Sequence, residues 1–423
     1  MALYTLIIYL ISAALFDGVL ANICDVCVCQ PYRERVFSIT CNGSYQKDLH
    51  LTSSIMMKVE SANMVTIKNF QTVSIERNSF AQLDQLDTLV VENCVNLYMA
   101  TGAFSTLNSL LINNIQDVAF GEMAFMGARG IKNIIINSSN ITELPRFALY
   151  DVRGLNRLNL YNVNIENITS NSFKIDVSNL EIENSTIKNV QKEGIIVNAT
   201  KILIQTSKFE TSADAAVQLL TKYQTRFLNN NFEGNFQWEV ISPFAEFSGN
   251  TFENVNTKAF NSITLTRAMN NTILDTNYNR IFQLFDHRDF HHNKFVCQCN
   301  QHLLNVKRNS VNYEILKNNF CNTNCSLSIF DFEIHSAASC MKENVIDAST
   351  LCVITDAASE LPPNNLLGTT ESNNDLPVIL QPRYLIDDGE HDRILQSGSS
   401  RAQISLFISI VLFLLLQINH YCY

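Results

Sequence analysis

Residues 155–173 read Leu155-Asn-Arg-Leu158-Asn-Leu160-Tyr-Asn-Val163-Asn-Ile165-Glu-Asn-Ile168-Thr-Ser-Asn-Ser-Phe173. The apolar positions fit no single helical period. Leu158 and Leu160 stand two apart, as on one face of a short strand, and Val163, Ile165, Ile168 and Phe173 then bring the chain repeatedly back towards one core. A single such unit cannot bury its apolar side, so the reading requires stacked copies.

The copies are present in both directions. The position of Leu160 recurs as Ile67, Val91, Ile112, Ile136, Ile182, Ile204, Phe227, Phe247, Ala268 and Phe290, in steps of about 20 to about 24 residues, a repeat period. Three residues further on stand Phe70, Cys94, Ile115, Ser139, Val163, Ser185, Ser207, Asn230, Asn250, Asn271 and Asn293. The last four form a sustained Asn column, and an Asn amide there can satisfy turn backbone that is otherwise buried between coils. A closing Phe recurs as Phe80, Phe104, Phe125, Phe147, Phe173 and Phe260.

The form L-x-x-L-x-L-x-x-N-x-I-x-x-I-x-x-x-x-F resembles a leucine-rich repeat. The resemblance implies an α/β solenoid: a leucine-rich repeat horseshoe of short parallel strands with an irregular convex side. A right-handed parallel β-helix is the alternative, because its coils have about this length and also stack Asn ladders. On this reading residues 1–21 are a signal peptide, 22–50 a cysteine-rich N-terminal cap, 51–296 the repeats (about 11), 297–352 a cysteine-rich C-terminal cap, 353–397 a flexible stalk and 398–423 a cleaved anchor signal.

Each boundary has its own residues. An apolar run over 2–15 precedes the small-residue site Val19-Leu20-Ala21, as in a secretory leader. Cys24, Cys27, Cys29 and Cys41 precede the repeats, and Cys297, Cys299, Cys321, Cys325, Cys340 and Cys352 follow them. In an exported chain these clusters read as disulfides. They resemble the caps of extracellular leucine-rich repeat proteins, which implies that Cys321 and Cys340 pair with Cys297 and Cys299, and Cys325 with Cys352. The Trp usual in that C-terminal cap is missing, so the fifteen pairings of six cysteines stay open. Cys94 stands alone in the Asn column and reads as a buried structural thiol. Trp238, the single tryptophan, reads as a packing residue.

Sequons at Asn42, Asn137, Asn140, Asn167, Asn184, Asn198, Asn270 and Asn324 point to a glycosylated ectodomain. Ser397-Gly-Ser-Ser400, a short polar spacer and the run Leu406–Leu416 resemble a glycosylphosphatidylinositol signal, with Ser397 or Gly398 as acceptor. The alternative is a single-pass type I membrane protein, for which this apolar run is short. The implied location is the outer face of the plasma membrane, where any signal passes through a transmembrane co-receptor.

A net charge of −10 argues against a nucleic-acid partner. The residues just before the strand column give two candidate surfaces on the concave side: an apolar strip of Val90, Leu111 and Ile135, and the alternating charges Arg226, Glu246, Arg267 and Asp289. The strip reads as a docking surface for an extracellular protein or glycan; the charges read as a ladder of ion pairs. His287, Asp289 and His291 alternate on one strand. Their spacing suits a divalent cation, but the reading adopted is a polar binding rim, with no metal or cofactor. Family members of this type mostly act in adhesion, recognition or innate immune sensing, and by resemblance this chain is such a binding protein and not an enzyme. The competing enzyme reading, a β-helix acting on polysaccharide, has Glu246, Arg267 and Asp289 as its only candidates; a passive coat or matrix component is the third. The anchor is tested on cells displaying the full chain: treatment with a phosphatidylinositol-specific phospholipase is expected to release the protein into the medium, and retention of surface-exposed protein would instead assign the apolar tail to a membrane span.

Overall fold

The computed structural model describes residues 22–332, apart from scattered single positions and short stretches of which the longest are 275–288 and 298–309. All of these residues belong to the first of two units, Met1–Leu361. The segments expected to be signal peptide, stalk and anchor signal, with Ser397 and Gly398, and Cys299, Cys325, Cys340, Cys352, Asn324, Phe260 and His287 lie outside the described residues.

The chain is a β-solenoid of stacked parallel coils. One 13-stranded sheet runs from Val28–Tyr32 to Phe290–His291, with every pair parallel except the first. On the other side of the core, strands of the same coils form two further parallel sheets: a four-stranded one from Asp48–Leu51 to Asp117–Phe120, and a nine-stranded one from Asn140–Leu144 to Phe320–Cys321. The expected irregular convex side is therefore corrected. It carries hydrogen-bonded strands, and helix among the described residues is limited to Ile23–Val26, Ser53–Met56, Ser310–Lys317 and residues 329–332. This fits the parallel β-helix alternative rather than the α/β horseshoe. The physical reason lies in the residues after the Asn column. Val73, Leu97, Val118, Ile141, Ile165 and Ile187 are buried within two-residue alternations, and β-branched residues in that rhythm suit a second pleated wall.

The strand register is as the periodicity implies. Ile67, Val91, Ile112, Ile136, Leu160, Ile182, Ile204, Phe227, Phe247, Ala268 and Phe290 are consecutive partners across the long sheet, and Cys41 precedes them opposite Ile67. Ala268 is buried in the column between its partners Phe247 and Phe290.

The Phe column is partly corrected. Phe80, Phe104 and Phe125 are buried, with successive ring centroids 6.1 and 5.3 Å apart. Phe147 is displaced by two residues: it is half-buried, at φ +61°, and Leu149 takes the core position. From Phe173 onward this third segment becomes strand and merges with the next, giving single strands such as Phe173–Glu183 and Ile195–Gln205. Trp238 is buried edge-on against Phe209 and Phe232, at 4.7 and 5.3 Å.

Two devices close each coil. Two residues beyond the strand column, the chain turns through the left-handed region at Asn69, Asn93, Asn114, Ser138, Asn162, Asn184, Thr206, Asn229, Gly249, Asn270 and His292. Asn and Gly tolerate that conformation best. One residue later comes the buried ladder. The Oδ1 atoms of Asn250, Asn271, Asn293 and Asn319 each accept the backbone N–H of the Asn one coil earlier, at 2.9 Å, and its Nδ2 as well. Each Nδ2 also donates to the preceding coil's strand carbonyl, as Asn250 does to Phe227 at 2.8 Å. Donors and acceptors are thus used in pairs. In earlier coils Ser139, Ser185 and Ser207 serve through one hydroxyl.

The first coil is covered. At the N-terminus, Val28–Tyr32 folds back antiparallel on Arg35–Asn42, tied by Cys24–Cys29 and Cys27–Cys41. Pro31 in this edge strand lacks the N–H that a further strand would need. At the other end Cys297 is bonded to Cys321 and stacking continues past residue 297: Phe320–Cys321 pairs with Lys294–Phe295.

The ladder's contribution is measurable. Asn250→Ala orphans the Asn230 amide and the Phe227 carbonyl in a dry interior, at about 1–3 kcal/mol per group. The variant is expected to lose about 3 kcal/mol in urea unfolding, with Asn250→Ser intermediate; a loss below about 1 kcal/mol would show that the ladder is not what holds the coils.

Candidate functional site

In a parallel sheet each outward side chain has its counterpart directly opposite on the next coil, so surface features are laid down as rows. The row before the strand column reads Thr66, Val90, Leu111, Ile135, Asn159, Glu181, Leu203, Arg226, Glu246 and Arg267 in consecutive partnership. Val90, Leu111 and Ile135 do lie side by side on three adjacent coils. They are half-buried, because each shields the next. The row beside them is Met64, Thr88, Ser109 and Asn133, so this part of the face carries no charge on that flank. Met64 is 43% exposed.

The charge pattern begins at Arg157. Its guanidinium meets Glu181 at 2.9 Å; further along the face Arg226 meets Glu246 at 2.6 Å and Arg267 meets Asp289 at 3.5 Å. The alternating column is thus an ion-pair ladder. Exposed pairs of this kind add little stability, but they occupy the carboxylates that acid–base chemistry would need. The second face repeats the device: Lys188 pairs with Glu166, and Lys208 with Glu210 and Glu233, whose hydrogen bonds raise the Lys208 pKa. Where the apolar strip gives way to charge, a depression of 160 Å³ is lined by Asn179, Glu181, Lys201, Leu203, Gln224 and Arg226. Small-molecule sites usually have about 300–1,000 Å³, so this surface suits a broad partner better than an enclosed ligand.

The other sequence-derived residues separate. His291 faces outward at the strand end with its Nδ1 2.7 Å from that of His292, while Asp289 turns to Arg267. His287 lies outside the described residues, and among those described no three His, Cys, Asp or Glu side chains gather as a metal site. Of the sequons, Asn42, Asn140, Asn184, Asn198 and Asn270 are exposed, and Asn137 and Asn167 half-buried. Asn184 and Asn270 stand at the left-handed corner beside the long sheet.

Cys94 is buried and free, and its Sγ reaches the Glu92 carbonyl two residues back at 3.4 Å. Ser139, Ser185 and Ser207 make the same bond from the same column, so the thiol stands in for a hydroxyl. Burial pushes its pKa up, which keeps it protonated and unreactive at neutral pH.

Sequence reasoning missed two features. Among the described residues the ladder continues past Asn293 to Asn319; the longer step of 26 residues hid it. Phe147 forms an external cluster with Arg146 and Tyr150, where spacing had placed a core Phe; its signal, visible in retrospect, is the second apolar residue at Leu149.

No protein-family model matches this chain, and no curated protein sequence matches it significantly.

Cys94 offers a direct check. Maleimide at about pH 8 is expected to leave it unlabelled in the native protein and to label it in denaturant, read by peptide mapping. Cys94→Ser is expected to stay within about 1 kcal/mol of the parent.

Proposed function

We propose that this chain is a recognition module of the cell surface, binding an extracellular protein or glycan through the outer face of its long sheet. The observation that carries this reading is the row Val90–Leu111–Ile135: three apolar side chains in register on adjacent coils, directed away from the core and bordered on one flank by the uncharged Thr88, Ser109 and Asn133. An outward apolar row has a cost in water that burial against a partner removes. The disulfide-tied hairpin at the N-terminus supports an oxidising, extracellular setting.

The accompanying fold reading is a right-handed parallel β-helix, the hand favoured when right-twisted strands are joined by crossovers. The role is adhesion, recognition or immune sensing, and a lipid-anchored chain of this kind signals only through a transmembrane partner. The β-helix architecture also favours, as a second reading, an enzyme acting on polysaccharide. Its acid–base candidates Glu246 and Asp289 are engaged with Arg226 and Arg267, which supports binding over catalysis.

The test uses the full chain displayed on cells. Val90→Asp and Leu111→Asp place a charge on the row without touching the inward columns. Surface expression and circular dichroism are expected to be preserved while adhesion to partner cells falls at least about tenfold. Undiminished adhesion in both variants would remove this face as the recognition surface.

A further inference from the structure

Each coil up to residue 215 has a second left-handed corner, where the third segment begins. It is occupied by Asn78, Gly102, Met123, Phe147, Asn171, Glu193 and Ala215, all at positive φ. The core column lies two residues later at Phe80, Phe104, Phe125, Leu149, Phe173, Ile195 and Val217, all buried. Phe147 is therefore an aromatic held in a backbone conformation that disfavours it, at a corner where no other coil has a ring, and the core position of its own coil is already filled by Leu149.

The ring is organised on the outside instead. Its centroid lies 5.1 Å from that of Tyr150, with the planes tilted by 59°. The Arg146 guanidinium sits over Phe147 at 4.6 Å, and the Lys174 ammonium lies 6.0 Å from the Tyr150 ring. Tyr150 is 41% exposed. Among the described residues neither Arg146 nor Lys174 has a carboxylate within ion-pair distance, whereas Arg157, Lys188, Lys208, Arg226 and Arg267 all do. A half-buried and an exposed aromatic ring, flanked by two cations without an ion-pair partner among the described residues, thus stand on a protein of net charge −10.

We propose that Arg146, Phe147, Tyr150 and Lys174 form a binding site for an acidic polysaccharide. Apolar faces of pyranose rings pack on the aromatic rings, and the saccharide's carboxylate or sulfate groups meet the guanidinium and ammonium. The backbone strain at Phe147 is retained because the ring serves the ligand rather than the core, as strained residues at ligand sites do. This site is separate from the apolar row of the long sheet, and Val90→Asp leaves it intact.

The experiment takes the full chain released from cells and measures binding to heparin, to hyaluronan and to neutral dextran, at low and at about 0.15 M salt. Binding to heparin alone assigns sulfate as the recognised group, and binding to hyaluronan as well assigns carboxylate; both support the site when dextran fails to bind. Phe147→Asn is the decisive variant, since Asn suits the left-handed corner. It is expected to unfold at the same temperature as the parent or higher, while its affinity for the acidic polysaccharide falls about tenfold. Arg146→Gln with Lys174→Gln is expected to abolish the salt-dependent part of binding without changing the fold. The proposal is overturned if the parent binds neither acidic polysaccharide better than dextran, if Phe147→Asn binds as well as the parent, or if it lowers the unfolding temperature, which would make Phe147 a packing residue.

Discussion

Everything in this molecule depends on closing a coil without stranding its peptide groups. Where one coil lies on the next, the corner backbone is sealed from water, and each unpaired amide there has a penalty comparable to a lost hydrogen bond. The chain meets this demand with two adjacent columns. The first turns the corner in the left-handed region, mostly with Asn. The second turns inward and spends its side chain on the neighbouring coil's backbone: a Ser hydroxyl in the middle coils, a doubly bonded Asn amide in the later ones. The Asn residues of the two columns are neighbours in sequence with opposite environments, exposed at Asn229 or Asn270 and dry at Asn230 or Asn271.

The ladder also fixes the register, and register decides what the surface displays. A shift of one residue between coils would exchange inward and outward side chains. Held in register, the inward columns become a continuous aliphatic and aromatic core. The outward columns become rows. The same row is apolar from Val90 to Ile135 and carries Glu181, Arg226, Glu246 and Arg267 further along, so one sheet presents two surfaces of different chemistry. In the charged part the opposite signs sit on successive coils, close enough to neutralise one another.

Much of this was legible because a solenoid translates sequence period into spatial contact. The column from Ile67 to Phe290 and the outward row before it follow from spacing alone, since each coil meets only its neighbours. The signal failed where a residue's type matched but its phase did not. Phe147 resembles the closing Phe of other repeats, yet Pro145 and Arg146 begin the corner so that Leu149 reaches the core. It failed also at Asn319, because that step is longer than the others, at 26 residues, and at the second wall of strands, whose short apolar alternations are compatible with a turn-rich side as well as with a sheet.

The sequence by itself determined that the chain is a repeat solenoid, where each coil begins, which side chains share a row, and which position carries the polar ladder. These are properties of a period, and a period is written in one dimension. Tertiary structure alone decided that the far side of each coil is hydrogen-bonded sheet, that the Cys94 thiol replaces a serine hydroxyl, and that Phe147 lies outside the core beside Arg146 and Tyr150. Those outcomes depend on how closely one coil settles on the next and on which of two nearby side chains wins the interior, and both are set by packing between coils rather than by the order of residues within one.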